Sequence, residues 1–454
     1  MRELFGTDGV RGTANVHPMT GEMAMKLGRA AAHIFKNKSS RRHRIIIGKD
    51  TRLSGYMIES AITSGICSFG VDVLIVGPMP TPAVAFLTRS LRADAGVMIS
   101  ASHNSFEDNG IKFFSSNGQK LPDQMEMEIE RLIISGEIDN IRPTAVDIGK
   151  AYRIDDAEGR YIEFVKNALP KGRDFSGLKV IVDCGNGAAY KVAPAALTEL
   201  SADVIVLHNT PNGTNINKNC GALHPSDLQN AVTLHRADLG IALDGDADRA
   251  TFVDEKGDIV PGEVILSVFA KSLQENKNLV GSTVVTTEHS NTGMDKSLQK
   301  SGIQVIRTQV GDRYVLEEML LGGYNLGGES SGHVIFSDYN TTGDGLLTAL
   351  QFLSLLKKTG KTVSQLTTEI QMLPQTTLNI HVSEKKTLRE IPKLQDLLDQ
   401  YESKLAGNGR LLIRYSGTEK LLRIMVEGED RDIISEMAEN LAKIVREAIG
   451  ISTH

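Results

Sequence analysis

Short apolar runs alternate with segments of helical period along most of this 454-residue chain, and that rhythm limits it to few architectures. Residues 45–48, 71–76 and 95–100 read as strands buried on both faces. Residues 20–36 carry Met23, Leu27, Ala30, Ala31 and Ile34 at helical spacing. Ser54 stands where the cap of a helix through Ile58, Ile62 and Ile66 belongs, and residues 82–91 suit a third helix. Strand–helix–strand repeats of this kind build a largely parallel sheet covered by helices. A charged helix over 123–134 then leads into the polar stretch 136–150, which reads as a boundary.

The rhythm restarts with strands at 178–183, 203–207 and 239–243, and again with strands at 283–287 and 305–308 and a helix at 344–358. After Pro374 the order changes to a strand (377–382), a helix (388–405), strands (411–415 and 421–427) and a helix (431–448). The expected class is α/β: three consecutive α/β domains with mixed sheets, 1–150, 151–254 and 255–373, then a smaller α+β domain, 374–454. A formal net charge of −6 argues against a nucleic-acid partner. The basic run Arg41-Arg42-His43-Arg44 reads as a solvated cap on the strand that follows it. Cys67, Cys184 and Cys220 lack paired spacing and fit free thiols in a reducing compartment. No apolar stretch is long enough to span a membrane, so a cytoplasmic protein without a membrane partner is expected.

Two features carry chemistry. Asp244, Asp246 and Asp248 alternate after an apolar strand, so in extended backbone their carboxylates would point one way and repel unless a cation sits between them. Oxygen-only donors favour Mg²⁺, Mn²⁺ or Ca²⁺. A calcium loop is a rival, with Glu255 at the twelfth position, but Arg249 replaces its required glycine and the flanks read as strands. Ser102 stands at the carboxyl end of strand 95–100, where open α/β sheets place ligands. Most such serines only cap turns, and His103 beside it is expected to face the other way, as strand neighbours do. No G-x-S-x-G elbow surrounds Ser102, which disfavours an α/β-hydrolase. Serine and metal cage together point to phosphoryl transfer.

Two further segments are weaker alone. Arg414-Tyr-Ser416-Gly417-Thr418-Glu419, with Arg423 nearby, has the fork, hydroxyls and backbone N–H groups to cradle a phosphate, or is an ordinary polar hairpin. Glu329 and Ser331, in a glycine-rich turn, are placed to bind two neighbouring hydroxyls of a sugar.

These segments, with Phe5-Gly-Thr-Asp-Gly-Val-Arg11-Gly12, Gly77-Pro-Met-Pro-Thr-Pro82, Ala101-Ser-His-Asn104, Asp108-Asn-Gly-Ile-Lys112-Phe-Phe114 and Thr341-Thr-Gly-Asp-Gly345, resemble the α-D-phosphohexomutase family from Phe5 to Glu427. The resemblance is strongest to its amino-sugar branch. It implies four domains around a central cleft and a phosphoserine at Ser102. It implies one Mg²⁺ per active site on Asp244, Asp246, Asp248 and the Ser102 phosphate. Arg11, Lys112 and His103 would stand near the transferred phosphoryl group, with Lys112 as acid and base. Glu329 and Ser331 would bind the sugar, Arg249 would brace the metal loop or the substrate's phosphate, and Arg414, Ser416, Gly417, Thr418 and Arg423 would hold its other phosphate. Arg313 is a weaker candidate for ligand contact. A lysine near its ordinary pKa of about 10.4 cannot easily serve as a base, so Lys112 is expected to be depressed.

The implied reaction interconverts glucosamine 6-phosphate and glucosamine 1-phosphate through glucosamine 1,6-bisphosphate, supplying UDP-N-acetylglucosamine for cell-wall synthesis. The alternatives are a phosphomannomutase/phosphoglucomutase and a metal-dependent phosphomonoesterase. The phosphosugar is the only partner required, and a homodimer is compatible with it. Ser105 and Lys420 stand where the family usually has proline, a change expected to loosen both loops.

Overall fold

The structure, a computed structural model, describes residues 4–6, 8–36, 42–415 and 420–450. They form two compact units, residues 1–289 with 303–368, and residues 290–302 with 369–454.

The first unit holds three sheets. The first is six-stranded, in the order Val10–Thr13, Asp108–Ser115, Ala95–Ile99, Arg44–Lys49, Asp72–Pro78 and Ala151–Arg153. The last four are mutually parallel, and Asp108–Ser115 runs antiparallel to both of its neighbours. Ile45, Ile46 and Ile47 are wholly buried, as expected of a strand covered on both faces. Helices Gly55–Cys67 and Thr81–Ser90 pack on this sheet, and helix Gly21–Phe35 packs on Gly55–Cys67. Ser54 sits at the helix start but makes no cap bond; its hydroxyl accepts from Asn109 Nδ2 at 2.8 Å instead. The basic run is not a solvated cap throughout: His43 is buried 3.2 Å from Asp94, and Arg42 pairs with Asp72 at 3.1 Å.

The second sheet is ordered Ile259–Val260, Ala250–Val253, Leu239–Leu243, Lys179–Asp183 and Asp203–Leu207, the last three parallel. It runs on past the turn at Asp254 to Val260. The third is ordered Gln304–Thr308, Thr283–Thr287, Leu326–Gly328 and Val334–Phe336, the last strand antiparallel.

The second unit is α+β. Strands Gln375–His381, Leu421–Gly428 and Gly409–Tyr415 form an antiparallel sheet. Helix Arg431–Ile449 buries Ile434, Met437, Leu441 and Val445 with the core of this unit. The expected helix at 388–405 is interrupted. One short turn, Leu388–Glu390, precedes the helix proper, Leu394–Leu405, because Pro392 cannot continue the ladder. Among the described residues no helix is long and apolar enough to cross a membrane.

Candidate active site

Ser102 follows strand Ala95–Ile99 in a left-handed turn with φ 52°. Its N–H donates to Ser100 Oγ at 2.9 Å, and its carbonyl accepts from Arg52 Nη2 and Asn217 Nδ2, both at 2.9 Å. Arg52 is wholly buried, and its fork also reaches the carbonyls of Asn104 (2.8 Å), Asp108 (3.0 Å) and Ser105. Its Nε donates to Asp50 Oδ2 at 2.8 Å, the oxygen that also accepts from Ser100 Oγ at 2.6 Å. A buried guanidinium thus grips the serine loop by its main chain, and Ser105 in place of proline leaves the loop tied. Sequence reasoning missed this device; the charged pair Asp50 and Arg52 just past an apolar strand was its only signal.

The Ser102 hydroxyl donates to Asp244 Oδ2 at 2.6 Å and lies 3.2 Å from His103 Nδ1. The expectation that His103 faces away is overturned. The strand ends at Ile99, so strand alternation no longer governs Ser102 and His103.

Asp244, Asp246 and Asp248 converge, each offering an oxygen within 4.8 Å of the others, and all three are buried. The convergence comes from a turn, not from extended backbone: Ala247 is left-handed at φ 55° and its N–H donates to Asp244 O at 3.0 Å. Gly245 is required here, since a Cβ would lie 2.4 Å from the Ser102 carbonyl. Burial, then the charges of Asp248 and Asp246, push the Asp244 carboxyl well above its ordinary value. Among the described residues Asp246 Oδ1 and Asp248 Oδ1 are buried without hydrogen-bond partners. Repelling carboxylates with free buried oxygens fit a hard divalent cation. The calcium-loop reading fails. Glu255 instead accepts from Ser364 Oγ at 2.5 Å, and strands Leu239–Leu243 and Ala250–Val253 flank the loop.

Cations surround the cage. Lys112 Nζ lies 2.9 Å from Asp246 Oδ2 and 3.1 Å from Asp8 Oδ2. The expected depressed lysine is not found. Burial lowers its pKa, but Asp246 and Asp8 outweigh burial and hold it above the ordinary value. Lys120 bridges Asp8 (2.5 Å) and Asp312 (2.8 Å), and Arg11 pairs with Asp8. Burial, then Arg249 and Arg11, push His103 down to about 4, so its imidazole is neutral at neutral pH. Arg249 Nη1 stands 3.4 Å from His103 Nδ1, with its Nε 3.7 Å from Asp248. His333, buried between Asp248 (3.6 Å) and Asp312 (3.4 Å), is raised by those carboxylates against burial. Burial would raise Asp248, but the hydrogen bond and charge of His333, with Lys112 and Arg249, hold it well below the usual carboxylate range.

Glu329 lies just past strand Leu326–Gly328, buried, with the Gly311 N–H 3.2 Å from Oε1; burial raises its pKa. Ser331 is exposed two residues on. The turn docks on the acid loop where the Ala250 N–H meets Gly332 O at 3.2 Å. Arg313 is taken up by Glu317 (3.0 Å) and Asp123, which leaves its candidacy for ligand contact unsupported. In the second unit Arg414 and Arg423 oppose each other across strands Gly409–Tyr415 and Leu421–Gly428, on one face of the sheet. Ser416, Gly417 and Thr418 lie outside the described residues.

Family models match in order: phosphoglucomutase/phosphomannomutase alpha/beta/alpha domain I at residues 2–138, domain II at 159–257, domain III at 261–372, and the C-terminal domain at 378–444. A phosphoglucosamine mutase from Geobacter metallireducens is 60% identical over 450 residues, 99% of this chain and 100% of the relative. Another from Geotalea uraniireducens is 59% identical over 454 residues, the full length of both. A phosphoglucomutase/phosphomannomutase family protein from Burkholderia thailandensis shares the fold at TM-score 0.81 and 22% identity, over 99% of each chain. An Aspergillus fumigatus N-acetylphosphoglucosamine mutase, solved with GlcNAc-6P and magnesium, does so at TM-score 0.66 and 18% identity, over 98% of this chain and 96% of that one. With all four domains matched and relatives near 60% identity along its length, this chain belongs to the phosphoglucomutase/phosphomannomutase family, the α-D-phosphohexomutases, beside the phosphoglucosamine mutases.

Proposed function

We propose that this chain interconverts glucosamine 6-phosphate and glucosamine 1-phosphate, with Ser102 as carrier of the phosphoryl group. The observation that carries the reading is the Ser102 hydroxyl seated 2.6 Å from Asp244 in a cage of three carboxylates. The near-full-length identity to phosphoglucosamine mutases supports the substrate. The Oγ–phosphorus bond of phosphorylated Ser102 breaks as a sugar hydroxyl oxygen bonds to phosphorus, giving glucosamine 1,6-bisphosphate. The bisphosphate turns over, and its other phosphoryl group returns to Ser102 by the same exchange.

Lys112 and Arg11 supply fixed positive charge to the moving phosphoryl group. Lys112, held protonated by Asp246 and Asp8, gives a proton to the departing oxygen. Neutral His103 is the acceptor available for the attacking hydroxyl. Asp244, Asp246 and Asp248 would hold Mg²⁺, whose charge offsets the phosphoserine oxygens and the charge developing in transfer. Glu329 and Ser331 are assigned to sugar hydroxyls, Arg249 to bracing the substrate, and Arg414, Ser416, Gly417, Thr418 and Arg423 to the non-reacting phosphate. The domain limits 1–150, 151–254, 255–373 and 374–454 belong to the same proposal, with strand Ala151–Arg153 crossing the first limit to complete the first sheet and Ile259–Val260 crossing the second to complete the second sheet.

Intact mass should show one added phosphate, mapped to Ser102. Ser102→Ala should lose that phosphate and nearly all mutase activity while keeping the fold. Wild-type turnover in this variant refutes the carrier role. The turnover-to-KM ratio should be highest for glucosamine 1-phosphate among the glucosamine, glucose and mannose 1-phosphates. Release of inorganic phosphate in place of transfer would favour the phosphomonoesterase.

A further inference from the structure

We infer that the second sheet carries a separate site for a thiophilic divalent cation, zinc by its chemistry, formed by Asp183, His208 and Cys220. Asp183 ends strand Lys179–Asp183, and His208 directly follows the parallel neighbour Asp203–Leu207, in which Leu207 pairs with Asp183. Cys220 lies in the loop before helix Ser226–His235. These residues share no sequence motif: the strand register brings Asp183 beside His208, and the loop carrying Cys220 is held to them where the Gly221 N–H donates to Asp183 Oδ2. Each offers one ligand atom, and the three atoms lie within 4.8 Å of one another. A tetrahedral zinc with bonds of about 2.0–2.3 Å needs ligand atoms roughly 3.3–3.8 Å apart, so side-chain shifts of about an ångström close the site.

The contacts inside the cluster ask for a cation. His208 Nε2 lies 3.3 Å from Asp227 Oδ2, the arrangement in which a carboxylate holds the N–H of a metal-bound imidazole. That leaves a lone pair on Nδ1, which faces Asp183 Oδ1 at 3.1 Å. Nδ1 is buried and makes no hydrogen bond of acceptable geometry among the described residues. Asp183 is fixed beforehand: its two oxygens accept from Gly185 N–H and Gly221 N–H, each at 2.8 Å, and each keeps a lone pair. Cys220 is buried, and Asn186 Nδ2 stands 3.8 Å from its sulfur, a donor suited to a thiolate. The partly exposed His208 side chain gives solvent a way in.

Nitrogen, sulfur and oxygen donors together suit zinc, whereas the oxygen-only cage at Asp244 suits Mg²⁺. Binding would release the thiol proton to solvent, and water would fill the fourth position. The cation would brace the serine loop from behind. Asn217, three residues before Cys220, donates its N–H to Gly185 O and its Nδ2 to Ser102 O, both at 2.9 Å. Ala188 N–H donates to Gly245 O at 2.8 Å. The competing reading is a metal-free His208 ring held between Asp183 and Asp227, which gives Cys220 no role.

The test uses full-length protein without a polyhistidine tag, loaded with zinc and dialysed against excess Mg²⁺. Elemental analysis should find about one zinc per chain. Cys220→Ser and His208→Asn should each lose it; asparagine tolerates the left-handed backbone at His208, φ 47°, so this variant keeps the fold. Asp246→Asn should retain the zinc, which separates the site from the oxygen cage. Cobalt-loaded protein should show thiolate-to-metal charge-transfer absorption that Cys220→Ser abolishes. Wild type that holds no zinc after dialysis, or zinc retained in both variants, overturns the assignment.

Discussion

Arg52→Lys separates the charge of the buried arginine from its fork. The guanidinium makes five polar contacts, one to Asp50 and four to the carbonyls of Ser102, Asn104, Ser105 and Asp108. An ammonium has three donors, so at least two contacts go, at about 1.5–3 kcal/mol each for bonds to a charged group. Asn217 still serves two of those carbonyls, Ser102 and Asn104, each at 2.9 Å. That redundancy reduces the expected loss to about 2–4 kcal/mol. Asp50 keeps a counter-charge, so the larger penalty of an unpaired buried carboxylate is avoided. The serine loop should also lose its fixed position, and a displacement near 1 Å costs about a hundredfold in rate. Turnover should therefore fall about ten- to a hundredfold, with KM for the sugar phosphate changed by less than about threefold. Urea unfolding followed by far-UV circular dichroism reads the stability, since the chain has no tryptophan. Steady-state kinetics reads the rest. A lysine variant equal to wild type in both unfolding midpoint and turnover would refute the view that the fork positions Ser102.

Asp246→Asn replaces an anionic ligand by a neutral one and should raise the Mg²⁺ needed for half-maximal activity by about tenfold or more; chelator titration checks it, and activity that survives complete chelation removes the cage from the mechanism. Asp344 is buried, caps helix Gly345–Thr359, and its carboxyl is pushed up to about 6, chiefly by burial. An acid raised on folding binds its proton more tightly in the native state, so the Asp344 contribution to stability is full below about pH 4 and is lost as pH rises through about 6, on the order of 3 kcal/mol in all. Asp344→Asn should flatten that decline, and unfolding midpoints at pH 4.5 and pH 8 that shift equally in variant and wild type would refute it. Arg414→Ala should lower turnover over KM by about 10- to 150-fold, the loss of a charge-assisted phosphate contact; an unchanged ratio places that phosphate elsewhere.

Legibility in the sequence followed burial and charge density. Strands such as Arg44–Lys49 and Leu239–Leu243 were plain because uninterrupted apolar runs have no other stable use. Strand Asp108–Ser115 was not, because Asp108, Asn109, Gly110 and Lys112 break its apolar pattern, and Lys112 is buried for the site and not for the core. The acid cage was visible because three carboxylates in five residues demand a reason. Arg52 was invisible because it acts on carbonyl oxygens, which every residue has. The direction of the Lys112 shift was missed because Asp8 reaches it from the start of the chain, and its weight against Arg11 is a matter of distances. The pairing of Ser102 with His103 was missed because the turn that joins them begins one residue earlier than the strand pattern suggests.

The left-handed backbone at Ser102 limits which amino acids can occupy that place at all. A β-branched side chain is strained at φ 52°, so threonine, the other aliphatic alcohol, would carry its hydroxyl into the site only by unwinding the turn. The residues that tolerate this conformation best are glycine, asparagine and aspartate. Drift at this position is thus funnelled away from the alternative alcohol. It leads toward residues that abolish the carrier oxygen or replace it with a carboxylate, whose acyl phosphate would be a far more labile store. The choice of serine over threonine is in this sense made by the main chain, before any substrate arrives.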